Sequence, residues 1–131
     1  MNNISTIRVM ADYSSTGLWN EKGYQIYPED LVLPENIVLE LNTYIKMYDE
    51  NKYFLNFVYV DIDDEEYNNA IKLTQLGWKI ATDIFCYVNE TNQNITVKFY
   101  NEFFNKDIIV NDKNKHVEDV FNLNSSIFNF E

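Results

Sequence analysis

At 131 residues and 15.6 kDa the chain is the size of one ordinary domain, able to bury about two-thirds of the surface its unfolded form exposes. Apolar residues make up 46% and aromatics 16%, with 10 Tyr, 9 Phe and 2 Trp, which excludes a disordered segment. Against 21 acidic side chains stand 10 basic ones, for a net charge of −11. Such a field repels phosphate backbones and anionic headgroups, so direct nucleic-acid binding and docking on a membrane surface are disfavoured.

The N-terminal MNNISTIRVMADY lacks a basic region followed by an apolar run, and no window approaches the roughly 18 apolar residues that span a bilayer. A cytosolic protein is expected. Cys86, the single cysteine, sits among Ile84, Phe85, Tyr87 and Val88 and reads as a core residue.

Residues 4–11 alternate at a period near two and suit an opening strand ending at Asp12. Residues 13–33 carry Gly17, Gly23, Pro28 and the aromatics Tyr13, Trp19, Tyr24 and Tyr27, and read as a long aromatic-rich loop. A loop of that length is usually functional or held down by its own side chains. Pro34 then opens a helix over 34–50, with Ile37, Val38, Leu41, Tyr44, Ile45 and Tyr48 on one face. YFLNFVYV, at 53–60, has the aromatic and β-branched character of a second strand.

Tyr67, Ala70, Ile71 and Thr74 predict a second helix over 64–76, which Gly77 would stop in a left-handed cap. Alternation over 84–89 and 95–100 predicts a hairpin turning through 90–94. A short strand at 108–110 and a brief helix capped by Asn114, carrying Val117, Val120 and Phe121, would follow. The tail at 124–131, with Ile127, Phe128 and Phe130, could stay flexible. The whole, 1–131, is expected as a single α+β domain: a mostly antiparallel sheet covered on one face by two amphipathic helices.

The run DIDDEE at 61–66 invites a metal, yet an EF-hand loop from Asp61 needs Gly and Glu where Glu66 and Lys72 stand. Its carboxylates are better read as capping a helix and complementing its dipole. His116 is the only histidine, among Lys113, Lys115, Glu118 and Asp119, and suits a solvated face. Ser14 and Ser15 lack the preceding glycine of a nucleophile elbow, and no phosphate-cradling loop occurs. AIKLTQLGWK, at 70–79, resembles the late helix of GNAT-type acetyltransferases, but glycines at 17, 23 and 77 cannot build their pyrophosphate loop. No catalytic residue, metal or cofactor is therefore expected.

Ala11, Asp12, Tyr13, Gly17, Leu18 and Trp19, followed by Asp30, Leu31, Pro34 and the helix-ending Tyr48 and Asp49, form an ADY-S-GLW pattern spread over about a third of the chain. In this the chain resembles small acidic immunity proteins of interbacterial toxin systems. The resemblance implies a non-enzymatic protein that binds and inhibits a cognate toxin, such as a nuclease. Charge fits that role independently, because thirteen acidic and four basic side chains give residues 1–66 a charge of −9, while residues 67–131 carry −2. An acidic face steers a basic partner, and aromatic anchors then hold it. Trp19, Tyr24 and Tyr27 are the candidate anchors, rimmed by Glu21, Glu29, Asp30, Asp63, Asp64 and Glu65. Trp19 packing beneath its own loop is an equally good reading. Three alternatives stay open: an enzyme using clustered carboxylates and His116, an acidic nucleic-acid mimic of phage type, and a homo-oligomer joined through the C-terminal tail.

Overall fold

A computed structural model describes residues 4–50, 64–102, 105–118 and 120, with the side chains of 64–66 outside the description. The expected strand at 53–60, Phe121 and the tail at 124–131 lie outside the described residues. The chain forms strands β1 (Thr6–Val9) and β2 (Leu18–Trp19), helices α1 (Pro28–Leu31), α2 (Glu35–Glu50) and α3 (Asp64–Glu90), and strands β3 (Thr96–Asn101) and β4 (Lys106–Ile109). This is an α+β domain whose sheet has the order β2-β1-β3-β4. β1 pairs β2 antiparallel, with Val9 opposite Leu18, and β3 pairs β4 antiparallel, with Phe99 opposite Ile108. Between them β1 and β3 run parallel, with Ile7 opposite Val97, so the sheet is mixed.

One face of the sheet supplies Ile7, Val9, Leu18, Val97, Phe99 and Ile108, all buried. Helix α3 lies against β1 and β3, and α2 packs on α3. The α2 stripe of Ile37, Leu41, Tyr44 and Tyr48 is buried as its spacing predicts. Lys79 of α3 bridges Glu40 of α2 and, one turn on, Asp83. Trp78 meets Phe99 edge to face at 6.0 Å, and its indole N–H donates to the Val117 carbonyl at 2.6 Å.

Three expectations are corrected. The second helix does not end at Gly77 but continues to Glu90, so the predicted strand at 84–89 is helical and the hairpin with 95–100 does not form. Ala81, Ile84 and Val88 are buried at helical spacing, a pattern that overlaps the alternation of Ile84, Cys86 and Val88. Gly77 serves packing instead: an added Cβ would stand 2.5 Å from the Phe99 ring and 2.9 Å from Tyr44. The left-handed cap belongs to Asn92, at φ 57, with the Gln93 amide donating back to the Val88 carbonyl at 2.8 Å.

The 13–33 loop, second, contains an edge strand and a short helix, β2 and α1. Third, Asn114 opens no helix directly: residues 112–116 form turns and 117–118 are irregular, while Val120 is in 3-10 conformation and Phe121 lies outside the described residues. Asn114 is fully buried there, accepting from the Asn111 amide at 2.8 Å and donating to the Ile109 carbonyl at 2.9 Å. Strand β4 takes the place expected of 108–110, and the Val110 amide extends its pairing by donating to Val97 at 2.9 Å.

Val32, which ends α1, adopts φ 53 while 76% exposed. A β-branched residue pays for a left-handed conformation with no burial in return, and the Tyr87 hydroxyl pins its carbonyl at 2.8 Å. Val32→Gly is expected to raise stability by about 1 kcal/mol, read as a higher urea midpoint at unchanged slope; a lower midpoint would refute the strain.

Candidate partner-binding site

The residues of the ADY-S-GLW pattern form one framework. Beyond β1, the Asp12 carboxylate accepts from the Tyr13 amide at 2.8 Å and its carbonyl from the Ser15 hydroxyl at 2.8 Å, folding the chain back. Gly17 takes φ +84, and a Cβ there would lie 3.2 Å from Ile45 and 3.4 Å from Leu41 of α2. Leu18 is fully buried, and the Trp19 indole N–H donates to the Met10 carbonyl at 2.8 Å. Tyr13 rests on Tyr48 with ring centroids 5.1 Å apart. Each of these residue types thus answers a packing or hydrogen-bonding demand of the turn between β1 and β2.

From this framework a second arm projects. The Ile26 amide donates to the Leu18 carbonyl at 2.9 Å, and Trp19 bridges Gln25. The tip is an Asn20-centred turn, its carboxamide oxygen accepting from the amides of Lys22 at 2.9 Å and Tyr24 at 3.0 Å, with Gly23 at φ +83. Thr16 clamps the base by donating its hydroxyl to the Ile26 carbonyl at 2.7 Å. Pro28 then starts α1 at a position where no amide is needed.

Of the predicted anchors, Tyr24 is 68% exposed at the hairpin tip and Tyr27 is 50% exposed at the entrance to α1, whereas Trp19 is half-buried with its N–H already bonded. Glu21 lies on the outer turn, where its carboxylate accepts from the amides of Ser5 and Thr6 at 3.2 and 3.3 Å. Those bonds, with one from its own amide foremost, hold its pKa below the ordinary carboxylate value. Glu29 and Asp30 stand exposed in the first turn of α1. Asp63 lies outside the described residues; Asp64 and Glu65 open α3, with side chains outside the description. The hairpin and α1 thus gather Tyr24, Tyr27, Glu21, Glu29 and Asp30 on one segment.

Two further features carry no local sequence signal. A groove of about 640 Å³ runs between the 15–16 turn, Tyr27–Glu29 and one stripe of α2, with Val38, Leu41, Ile45 and Pro28 as apolar lining. Lys46, Asp49 and Glu50 also line it. The second is Glu102, just beyond β3, whose pKa is pushed up to about 7, first by burial and then by the nearby Asp12 carboxylate. Its charge and, above all, burial also raise the pKa values of Tyr44 and Tyr48. Periodicity could have placed the α2 stripe, but not the turn that faces it.

His116 is exposed and borders a separate hollow with Trp78, Lys79, Lys115 and Glu118. Among the described residues, no three His, Cys, Asp or Glu side chains converge as metal ligands, and no helix is long and apolar enough to cross a membrane. The chain matches no protein-family model, no curated protein and no solved structure.

Proposed function

We propose that this chain is a non-enzymatic immunity-type protein that binds a basic cognate toxin and blocks its active site or substrate channel. The observation that carries the reading is the pairing of exposed Tyr24 and Tyr27 with Glu21, Glu29 and Asp30 on a short, internally bonded hairpin and helix. Tyrosines supply large rigid contact area, and a preformed segment loses little entropy on docking. The acidic surplus of residues 1–66 supports a basic partner and a steered encounter.

Stopped-flow association with the toxin tests this, the toxin being sought in the C-terminal domain encoded by the adjacent upstream gene. Raising salt from about 0.05 to 0.5 M is expected to slow association by more than roughly tenfold and leave dissociation nearly unchanged. Tyr24→Ala with Tyr27→Ala should instead speed dissociation by roughly tenfold or more. Salt-independent association, or growth protection that survives loss of both tyrosines and reversal of Glu29 and Asp30, would defeat the proposal. A metabolic operon at that locus would favour the enzyme reading.

A further inference from the structure

Among the described residues, the negative charge of the groove beside α2 is not balanced. A helix C-terminus carries partial negative charge on its free carbonyls and is ordinarily complemented by Lys or Arg. α2 ends instead on Asp49 and Glu50, with no basic residue in its last turn. Glu29 faces the same groove from α1, and Lys46 is the only cation among the described lining residues. One oxygen of Asp49, Oδ1, is buried and has no hydrogen-bond partner among the described residues. Val38, Leu41, Ile45 and Pro28 give the same groove an apolar bed.

We infer that the groove seats an arginine of the basic protein partner, its aliphatic stem on Ile45 and its guanidinium at Asp49 and Glu50 one turn further along α2, with Glu29 adding negative charge to the same groove. The inference rests on the partner-binding reading above and deepens it. Arginine fits better than lysine because its planar fork can bond two carboxylates at once and is less strongly hydrated. A long side chain with an apolar stem and a charged head matches an apolar bed with an acidic rim. Tyr27 borders both the groove and the hairpin surface, so one partner can engage the two together.

The test uses a short amidated Leu-Arg repeat peptide and its Leu-Glu counterpart, followed by methyl NMR of Val38, Leu41 and Ile45. The Leu-Arg peptide is expected to shift these methyls and the Leu-Glu peptide to leave them in place. Asn42 is an exposed groove residue, and Asn42→Trp should fill the cleft and abolish the shifts while thermal unfolding stays cooperative. Glu29→Lys with Glu50→Lys should weaken binding by roughly tenfold, and Lys46→Gln should tighten it by about twofold. Absent methyl shifts, shifts unchanged in Asn42→Trp, or self-association of the protein through this face would each overturn the inference. With the toxin, Asn42→Trp should weaken affinity by roughly tenfold. If Asn42→Trp inhibits like the unaltered protein while the Tyr24 and Tyr27 variant fails, the groove assignment falls and the inhibitor reading stands. If neither variant changes inhibition, both fall.

Discussion

Gly77→Ala is expected to lower stability by about 2 kcal/mol, even though alanine favours a helix over glycine by about 1 kcal/mol. Gly77 is buried midway along α3, where an added Cβ would sit 2.5 Å from Phe99 Cε1 and 2.9 Å from two atoms of Tyr44. Phe99 is 1% exposed and Tyr44 3% exposed, so neither ring has solvent to swing into. The helix must move off the sheet, or off α2, or both rings must leave their preferred rotamers. Forcing a methyl into such packing costs about 3 kcal/mol, which exceeds the propensity gain. Urea denaturation reads the difference. A double-mutant cycle with Phe99→Leu should recover at least about 1 kcal/mol, since the shorter side chain vacates the position the Cβ would occupy. A midpoint equal to or above that of the unaltered protein would show that α3 does not approach β3 this closely.

Between about pH 4.5 and 7 the protein should lose stability as pH rises, and Glu102→Gln should remove most of that slope. Glu102 has its pKa raised from 4.5 to about 7, first by burial and then by Asp12. A carboxyl whose folded pKa exceeds its unfolded one binds more protons when folded in this interval, so stability falls with increasing pH. The contribution is fully present below the unfolded value and is gone once pH has passed the folded one. The shift corresponds to roughly 3 kcal/mol, reduced to about 2 kcal/mol because the carboxyl retains some contact with water. At pH 8 Glu102→Gln is therefore expected to melt about 8 °C higher than the unaltered protein, and at pH 4 nearly together with it. Asp12→Asn should give a smaller change of the same sign, because it removes the secondary cause only. A flat profile in the unaltered protein, or an equal gain from Glu102→Gln at both pH values, would contradict the burial of this carboxyl.

The sequence alone determined features whose causes are local. Pro34 and a stripe from Ile37 to Tyr48 define α2 whatever it packs against, because a continuous apolar face at helical spacing has one secondary structure that buries it. The alternation around Ile7 and Val9 likewise marks β1, and the asparagines of 90–94 do turn the chain, through Asn92. The acidic surplus of residues 1–66 is composition and needs no fold. The tertiary structure decided the rest. Ile84, Cys86 and Val88 read equally as one face of a strand, and the continuation of the Ala70–Ala81 stripe by Ile84 and Val88 became decisive only with α3 laid across β1 and β3, which leaves Cys86 partly exposed. Gly77 reads as a terminator until Phe99 and Tyr44 stand beside it. A two-residue strand such as β2 has too few residues to announce itself and exists because β1 offers it a partner. The groove and the burial of Glu102 likewise join residues far apart in the chain. Propensity and periodicity act over a few neighbouring residues, whereas burial, desolvation and close approach are set by whichever distant segment the fold brings alongside.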